Sequence, residues 1–239
     1  NAVDAAIATA FALGAVEPWM SGLGGIGFMM VWDAKKRRAH TVDFGAISAR
    51  ALDAGHYALT GRTGADLFGW PEVVENRNML GYAAMAVPGQ PDGMRLAHES
   101  FATKPWAALI EPAIGLAQEG IEADWWASLV IASAAPDLSR FIESRSWFLP
   151  GGFAPVAEWA GTLPRLKNPA LAGTLARLAE SGARDYYDGV LSRALAADFA
   201  AGGSAISADD LASYRARLVE PLEIARAGRR FFTADGLTA

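Results

Sequence analysis

Two observations predict an α+β fold for this chain. Helical and strand patterns are mixed along the 239 residues, with no recurring strand–helix–strand unit and no internal repeat. Apolar residues make up 52% of the chain against 20% charged ones, which is enough for a full-sized core. The longest apolar stretch, residues 5–16, has the length of a buried helix and is too short to span a bilayer. The chain is therefore expected to be globular, without a membrane span.

Runs of apolar residues define the predicted N-terminal elements. Residues 2–15 carry mostly small or apolar side chains, contain no Pro, and predict a buried helix. Two apolar runs on either side of the basic turn 35–38 (KKRR) predict a β-hairpin over 27–44. Residues 45–80 are irregular and predict mainly loops, whereas residues 81–87 predict a further strand.

The second half of the chain is predicted to be mainly helical. Pro105 and Pro112 suit the first turn of a helix, and Gly120 suits the position after a helix end. The tryptophans of residues 121–168 stand among prolines and glycines, which predicts aromatic side chains covering an irregular surface. The other predicted elements are helices over 92–100, 112–118, 169–181 and 189–200, a short helix capped by Ser207, and a hairpin of 219–224 with 229–233.

The charge balance excludes a dedicated nucleic-acid binder. The chain has 21 Lys and Arg against 26 Asp and Glu, a net charge of −5, and its densest basic run is the short turn at 35–38. Cysteine is absent, which removes disulfides, thiolate metal sites and a Cys nucleophile. The sequence opens at Asn1 with neither Met nor a basic leader, which indicates a processed product or part of a longer polypeptide.

Local motifs reveal no catalytic centre. Residues 22–27 (GLGGIG) have a dinucleotide-binding spacing, but a predicted helix precedes them and a strand follows, so close packing of two backbones is favoured. Ser21 lacks the flanking glycines of a nucleophile elbow, and residues 98–102 (HESFA) begin like a zinc motif but end in Ala. His40 and Asp43 are predicted on opposite faces of a strand. No nucleophile with a matching base is identified, and no metal site is predicted.

Several segments, taken in order, are similar to one enzyme family. Residues 1–10 (NAVDAAIATA) and 17–28 (EPWMSGLGGIGF) resemble the opening of the large subunit of γ-glutamyltranspeptidases. Similar segments follow in the same order at 86–89 (AVPG), 96–98 (LAH), 105–106 (PW), 112–114 (PAI), 148–150 (FLP), 166–169 (LKNP) and 220–222 (EPL). The resemblance covers nearly the whole chain. Residues 1–239 are therefore expected to be a single segment of such a large subunit, with further parts on both sides.

The resemblance implies an N-terminal-nucleophile hydrolase with a four-layer αββα sandwich, completed by a small subunit cut from the same precursor. The nucleophile would be the Thr at the new N-terminus of that subunit, whose α-amino group, with a pKa of about 8, can serve as the general base. Asn1 has no hydroxyl, so the catalytic Thr is expected beyond Ala239. No catalytic residue is expected in this chain. The implied partners are the small subunit and a small-molecule amide or γ-glutamyl substrate, with no cofactor. Family habit suggests a periplasmic or secreted enzyme.

The sequence departs from the family pattern at the predicted substrate-binding residues. At Gly45 and Ala46 the family typically has an Arg-Glu pair, whose Arg clamps the α-carboxylate of the γ-glutamyl group. Loss of such a guanidinium–carboxylate contact removes about 1.5–3 kcal/mol, or tenfold or more in affinity. Arg50 is a candidate to replace it if the intervening loop bends back. Residues 234–238 (ADGLT) also replace the family's Pro-rich turn and Ser-Ser-Gly-Gly, so substrate identity is open.

Three functional hypotheses follow from the resemblance and its departures. The leading one is an amide hydrolase or acyl transferase that works through an acyl-enzyme on an acyl group other than γ-glutamyl. The second is the ordinary γ-glutamyl transferase and glutathione hydrolase, with another basic residue in place of the missing Arg. The third is a catalytically silent relative kept for binding, for which the nucleophilic Thr would be absent.

Overall fold

A computed structural model describes residues 1–64, 68–157, 159 and 161–235. In these ranges helices and strands alternate irregularly along the chain, so the α+β class predicted from the sequence is confirmed. The chain divides into two compact units. The first unit comprises 1–46, 88–186 and 215–239, and the second comprises 47–87 and 187–214.

The first unit contains a three-stranded antiparallel sheet in the order β1-β2-β7, formed by Gly27–Asp33, Arg38–Phe44 and Arg217–Val219. The hairpin of β1 and β2 confirms the prediction over 27–44. The Asp33 side chain closes its basic turn by accepting the backbone N–H groups of Lys35 and Lys36. The third strand, β7, was not predicted from the sequence. It pairs with β2 in the register Asp43↔Arg217, Val42↔Leu218 and Thr41↔Val219.

Helices cover the first unit and supply most of its core. Helix α3 (Trp106–Glu119) packs against both α1 (Ala2–Val16) and α6 (Pro169–Ser181). Trp106, on α3, contacts both neighbouring helices. Its ring meets the Phe11 ring of α1 edge-on, with the ring centroids 5.6 Å apart, and its indole N–H donates to the Leu178 carbonyl of α6 at 2.8 Å. The helices of this unit are α1 Ala2–Val16, α2 Gln90–Phe101, α3 Trp106–Glu119, α4 Trp125–Leu138, α5 Ile142–Phe148 and α6 Pro169–Ser181.

The remaining strands of the first unit form two separate hairpins. Strands β5 Ile121–Glu122 and β6 Arg165–Leu166 form one pair. Strands β8 Leu222–Arg226 and β9 Arg229–Thr233 form the other, which confirms the closing hairpin predicted from the sequence. A short helix, α7 Asp185–Asp188, follows α6.

The second unit is smaller and has its own core. Strands β3 Leu59–Thr63 and β4 Pro71–Val73 pair with each other. Helices α8 Val190–Gly202 and α9 Ala208–Ser213 contact each other. The rings of Tyr187 and Tyr214 stack at a centroid distance of 5.3 Å, and both side chains are fully buried.

Two predicted elements differ from the structure. Residues 81–87 do not form a strand, because a short 3₁₀ turn at Tyr82–Ala84 interrupts them. Within the described ranges, their one β-pairing is the isolated bridge between Val87 and Ile47. A short apolar run cannot by itself distinguish a strand from a helical segment. Pro112 lies inside α3 and not in its first turn, because the helix already begins at Trp106.

The stretch 121–168 is more regular than its tryptophans and prolines predict. Asp124 caps α4 by accepting the N–H of Ala127 at 2.8 Å, and α5 follows. Trp125 and Trp147 therefore lie on helices. Helices α6 and α9 confirm the helices predicted at 169–181 and after Ser207. Asn168 caps α6 by accepting the N–H of Leu171, and Ser207 forms a reciprocal capping box at the start of α9.

Candidate functional site

The turn after β2 is organised by the Asp43 carboxylate. One of its oxygens, Oδ1, accepts the backbone N–H of Gly45 at 3.0 Å. The other, Oδ2, accepts a hydrogen bond from Arg217 Nη2 at 2.6 Å. A charge-assisted contact of this length is among the stronger hydrogen bonds in proteins. The same carboxylate therefore joins the predicted substrate-binding turn to a guanidinium on β7.

Arg217 reaches Asp43 because the sheet register pairs these two residues directly. Side chains of directly paired residues lie on the same face of an antiparallel sheet, close enough for an ion pair. The strand is also held beyond both of its ends. The N–H of Ala216 donates to Asp92 Oδ2 at 2.7 Å, and Glu220 forms an ion pair with Arg38 of β2. The position of the Arg217 backbone is thus fixed from both sides.

Asp92 is a fully buried carboxylate at the start of α2. Its Oδ1 atom accepts hydrogen bonds from Arg95 Nε at 2.7 Å and from Arg184 Nη1 at 3.3 Å. Burial by itself would raise the pKa of Asp92. The hydrogen bonds from Arg95 and from the Ala216 amide, with the two guanidinium charges, outweigh burial and lower the pKa below its ordinary value. Asp92 is therefore an anion that joins α2, the segment after α6 and the approach to β7.

The residues predicted to bind substrate fall in both compact units. Gly45 and Ala46 belong to the first unit, with Gly45 half-buried and Ala46 exposed. Arg50 belongs to the second unit, where its backbone N–H donates to Asp210 Oδ1 at 3.3 Å and its Nε atom lies 3.7 Å from the same oxygen. The hypothesis that Arg50 replaces the missing guanidinium stays a prediction.

Sequence reasoning missed Arg217 as a residue of this site. Nothing in its local sequence marks it, since it belongs to a short strand after α9 and lies 174 positions from Asp43. The pairing of β2 with β7 brings the two together, and no local periodicity encodes that pairing. The second predicted departure, at 234–238, lies mostly outside the described residues, which end at 235.

The glycine-rich loop before β1 has a packing role. The Gly25 carbonyl accepts the N–H groups of Gly89 and Gln90, both at 3.0 Å. These amides at the start of α2 are therefore already satisfied by the loop. A side chain at Gly25 would also meet the Gly22 carbonyl oxygen at 2.8 Å. The close approach of two backbones, favoured from the sequence, is confirmed.

The histidines do not assemble into a centre. The His40 ring packs against the Phe101 ring, with the ring centroids 5.3 Å apart. His98 Nε2 lies 2.9 Å from the Lys104 carbonyl oxygen. In the described ranges, no three side chains of His, Cys, Asp or Glu gather where they could hold a metal ion. The helices described in these ranges also include none with the length and apolarity needed to cross a membrane.

Comparison with known proteins identifies the family. The family model for γ-glutamyltranspeptidase matches residues 1–238. This chain therefore belongs to the γ-glutamyltranspeptidase family, as its resemblance predicted.

Two curated relatives illustrate the range of activities among similar proteins. The glutathione hydrolase proenzyme of Pseudomonas aeruginosa is 31% identical over 98% of this chain. The acylase ACY 1 proenzyme of Pseudomonas sp. strain SE83 is 34% identical over 93% of it. The chain spans 38% of the length of each of these relatives.

Solved structures show the same fold. The γ-glutamyltranspeptidase of Pseudomonas nitroreducens, solved in complex with L-DON, superposes with a TM-score of 0.81 at 31% identity, covering 98% of this chain and 64% of its own. The cephalosporin acylase of Bacillus halodurans superposes with a TM-score of 0.79 at 26% identity, covering 97% of this chain and 41% of its own. The fold is therefore shared by relatives named as transpeptidases and by relatives named as acylases.

Proposed function

We propose that residues 1–239 form a single segment of the large subunit of an amide hydrolase or acyl transferase. Membership of the γ-glutamyltranspeptidase family is the observation that carries this proposal. The relatives are named as proenzymes and are much longer than this chain. These facts support a precursor that is cut into two subunits. The small subunit, expected beyond Ala239, would supply the catalytic Thr.

The proposed chemistry needs no catalytic side chain from the large subunit. The Thr hydroxyl attacks the amide carbonyl, and the α-amino group of the same Thr accepts its proton and passes it to the leaving nitrogen. The C–N bond breaks and leaves an ester between the acyl group and Thr. Water or an acceptor amine then attacks the ester, which releases the acid or a new amide and restores the hydroxyl. The described chain would bind and orient the acyl group.

The residue at position 45 supports an acyl group other than γ-glutamyl. In the family pattern an Arg at this position clamps the α-carboxylate, and Gly45 has no side chain with which to do so. An acylase and a glutathione hydrolase are similarly close to this chain in sequence. We therefore propose that the enzyme hydrolyses or transfers a different acyl group.

Glutathione hydrolysis is the second candidate. The relative from P. aeruginosa carries that name and matches 98% of this chain. In this case another basic residue must bind the γ-glutamyl carboxylate. This candidate would be favoured over the first if the full-length protein turned over γ-glutamyl p-nitroanilide with a KM no higher than its KM for other acyl anilides.

The test of the proposal is intact mass and N-terminal sequencing of the purified full-length gene product. Two fragments are expected, the second beginning with Thr. Replacement of that Thr by Ala should leave one uncut, inactive chain, because the same hydroxyl performs cleavage and catalysis. A wild-type protein that stays uncut and cleaves no acyl anilide would overturn the proposal and favour a catalytically silent relative.

A further inference from the structure

The exposed guanidinium of Arg217 and the Gly45 amide bind different oxygens of the same carboxylate, that of Asp43. Asp43 Oδ2 takes the bond from Arg217, and Asp43 Oδ1 takes the bond from Gly45. The Arg217 side chain is 61% exposed, whereas that of Asp43 is only 17% exposed. The cation is therefore the open member of this pair.

Arg217 keeps donor capacity for a second anion. A guanidinium has five N–H donors in a planar fork that fits a carboxylate. Among the described residues, Asp43 is the only hydrogen-bond partner that the structure gives Arg217, through Nη2. Other N–H groups of its exposed fork can therefore bind a ligand while the contact to Asp43 is kept.

Other arginines of the first unit are used differently. Arg95 and Arg184 point to the buried Asp92, and their side chains are much less exposed than that of Arg217. Arg38 pairs with Glu220 at the far end of the β2 and β7 pairing. Arg217 thus combines exposure with a direct link to the turn that carries position 45.

We propose that Arg217 binds the carboxylate of the acyl group, in place of the guanidinium that position 45 lacks. The inference rests on the proposed function, because it assigns the acyl-binding role to this turn. It names the substrate class as acyl groups that carry a carboxylate. The ligand anion would lie beside Asp43 on the solvent side of Arg217, with the guanidinium between two carboxylates.

The support around Arg217 is suited to ligand binding. The backbone on one side is held by the bond from Ala216 to Asp92, and Glu220 is held by Arg38 on the other. Asp43 then fixes the direction of the guanidinium. A side chain that is already ordered loses less conformational entropy when a ligand binds, so more of the contact energy appears as affinity.

The direct test is calorimetric binding of glutarate, a dicarboxylate, to the full-length protein. Arg217→Gln should weaken glutarate binding at least about tenfold, the effect expected for losing a charged hydrogen bond. Arg217→Lys should give an intermediate loss, because it keeps the charge and loses the fork. Arg165→Gln is the matched control, since it removes an exposed ion pair, with Glu122, between two directly paired strand residues elsewhere in the same unit, and it should leave binding unchanged.

Several outcomes would overturn the inference. They are the absence of glutarate binding to wild type, an unchanged affinity in Arg217→Gln, and an equal loss in Arg165→Gln. If the Gln variant does not fold, Arg217→Lys decides, and an affinity equal to that of wild type counts against the role. Binding is measured without turnover. An uncut, inactive protein that still binds glutarate through Arg217 would therefore refute the proposed function but not this inference.

Turnover separates ligand binding from mere positioning of the turn. In the processed enzyme, Arg217→Gln should raise KM for glutaryl p-nitroanilide at least about tenfold and leave kcat within about twofold. KM for the uncharged butyryl p-nitroanilide should not change. An equal rise of KM for both anilides would show that Arg217 only supports the turn, and would overturn the proposal.

Discussion

The Asp92 carboxylate and the backbone N–H of Ala216 are joined by a hydrogen bond of 2.7 Å across 124 positions of sequence. The contact connects the first turn of α2 to the residue before β7. Because β7 carries Arg217, the buried anion stabilises the strand that presents the candidate acyl-binding guanidinium. The fold and the site therefore depend on the same carboxylate.

Replacing this carboxylate is expected to destabilise the protein. Asp92→Asn leaves the guanidinium groups of Arg95 and Arg184 without their shared anion, and removing one member of a buried ion pair typically costs about 3 kcal/mol. The midpoint of urea unfolding of the full-length protein should fall accordingly. Asp137→Asn is the control, because Asp137 forms an exposed pair with Arg140 at 3.8 Å and should contribute below about 1 kcal/mol. Equal midpoints for the two variants would contradict the role of Asp92.

Stability should also decrease in acid. The pKa values of Asp92 and Asp210 are both lowered in the folded protein, because hydrogen bonds and nearby guanidinium groups outweigh burial, which alone would raise them. A carboxyl with a lowered folded pKa stabilises the protein fully above its unfolded pKa of about 4, and this stabilisation is lost as the pH falls through the folded value. The midpoint of urea unfolding should therefore change little from pH 7 to about pH 5, and it should decrease once the pH is below about 4. The acid-induced fall should be smaller in Asp92→Asn, and an identical fall would count against Asp92.

A pair of glycine variants tests the packing of α2 on the sheet. A Cβ at Gly93 would lie 2.4 Å from Phe44 Cγ, so Gly93→Ala forces a ring at the end of β2 to move. Overpacking of this kind typically costs about 1–3 kcal/mol. Gly173, inside α6, has open space at the same position, and Gly173→Ala should stabilise the protein by about 0.5–1 kcal/mol. Thermal unfolding of both variants should therefore shift in opposite directions, and a Gly93→Ala protein as stable as wild type would show that the ring moves freely.

Much of the fold could be predicted from local sequence patterns. The hairpin of β1 and β2 and helices α1, α6 and α8 follow from periodicity, apolar runs and stop residues. Helix α4 could not be found in this way, because Trp125 and Trp126 occupy its exposed first turn and Pro136 its last. Such residues favour a loop in isolation. The packing of Ile131 with Ile121, Leu149 and Leu166 stabilises the helix and depends on contacts distant in sequence.

The candidate site was only partly predictable, for the same reason. The departure at Gly45 is visible in the sequence because neighbouring residues keep the family pattern. Arg217 is not, because its role depends on the pairing of β2 with β7 and on Asp43 accepting bonds from both sides. When a cation on a different strand takes over the role of a missing one, the sequence around the missing residue does not show where the new cation is.

Restoring a guanidinium at position 45 should change the preferred acyl group. In the processed full-length enzyme, Gly45→Arg is expected to lower KM for γ-glutamyl p-nitroanilide at least about tenfold, because one charged contact to the α-carboxylate contributes about 1.5–3 kcal/mol. KM for butyryl p-nitroanilide should stay unchanged, since that acyl group has no carboxylate. Ala46→Arg is the matched control, because it adds the same charge at the next, exposed position of the turn. If Gly45→Arg and Ala46→Arg lower KM equally, added charge explains the effect and position 45 is not the clamp. If neither changes KM while self-cleavage is intact, this turn does not contact the γ-glutamyl carboxylate.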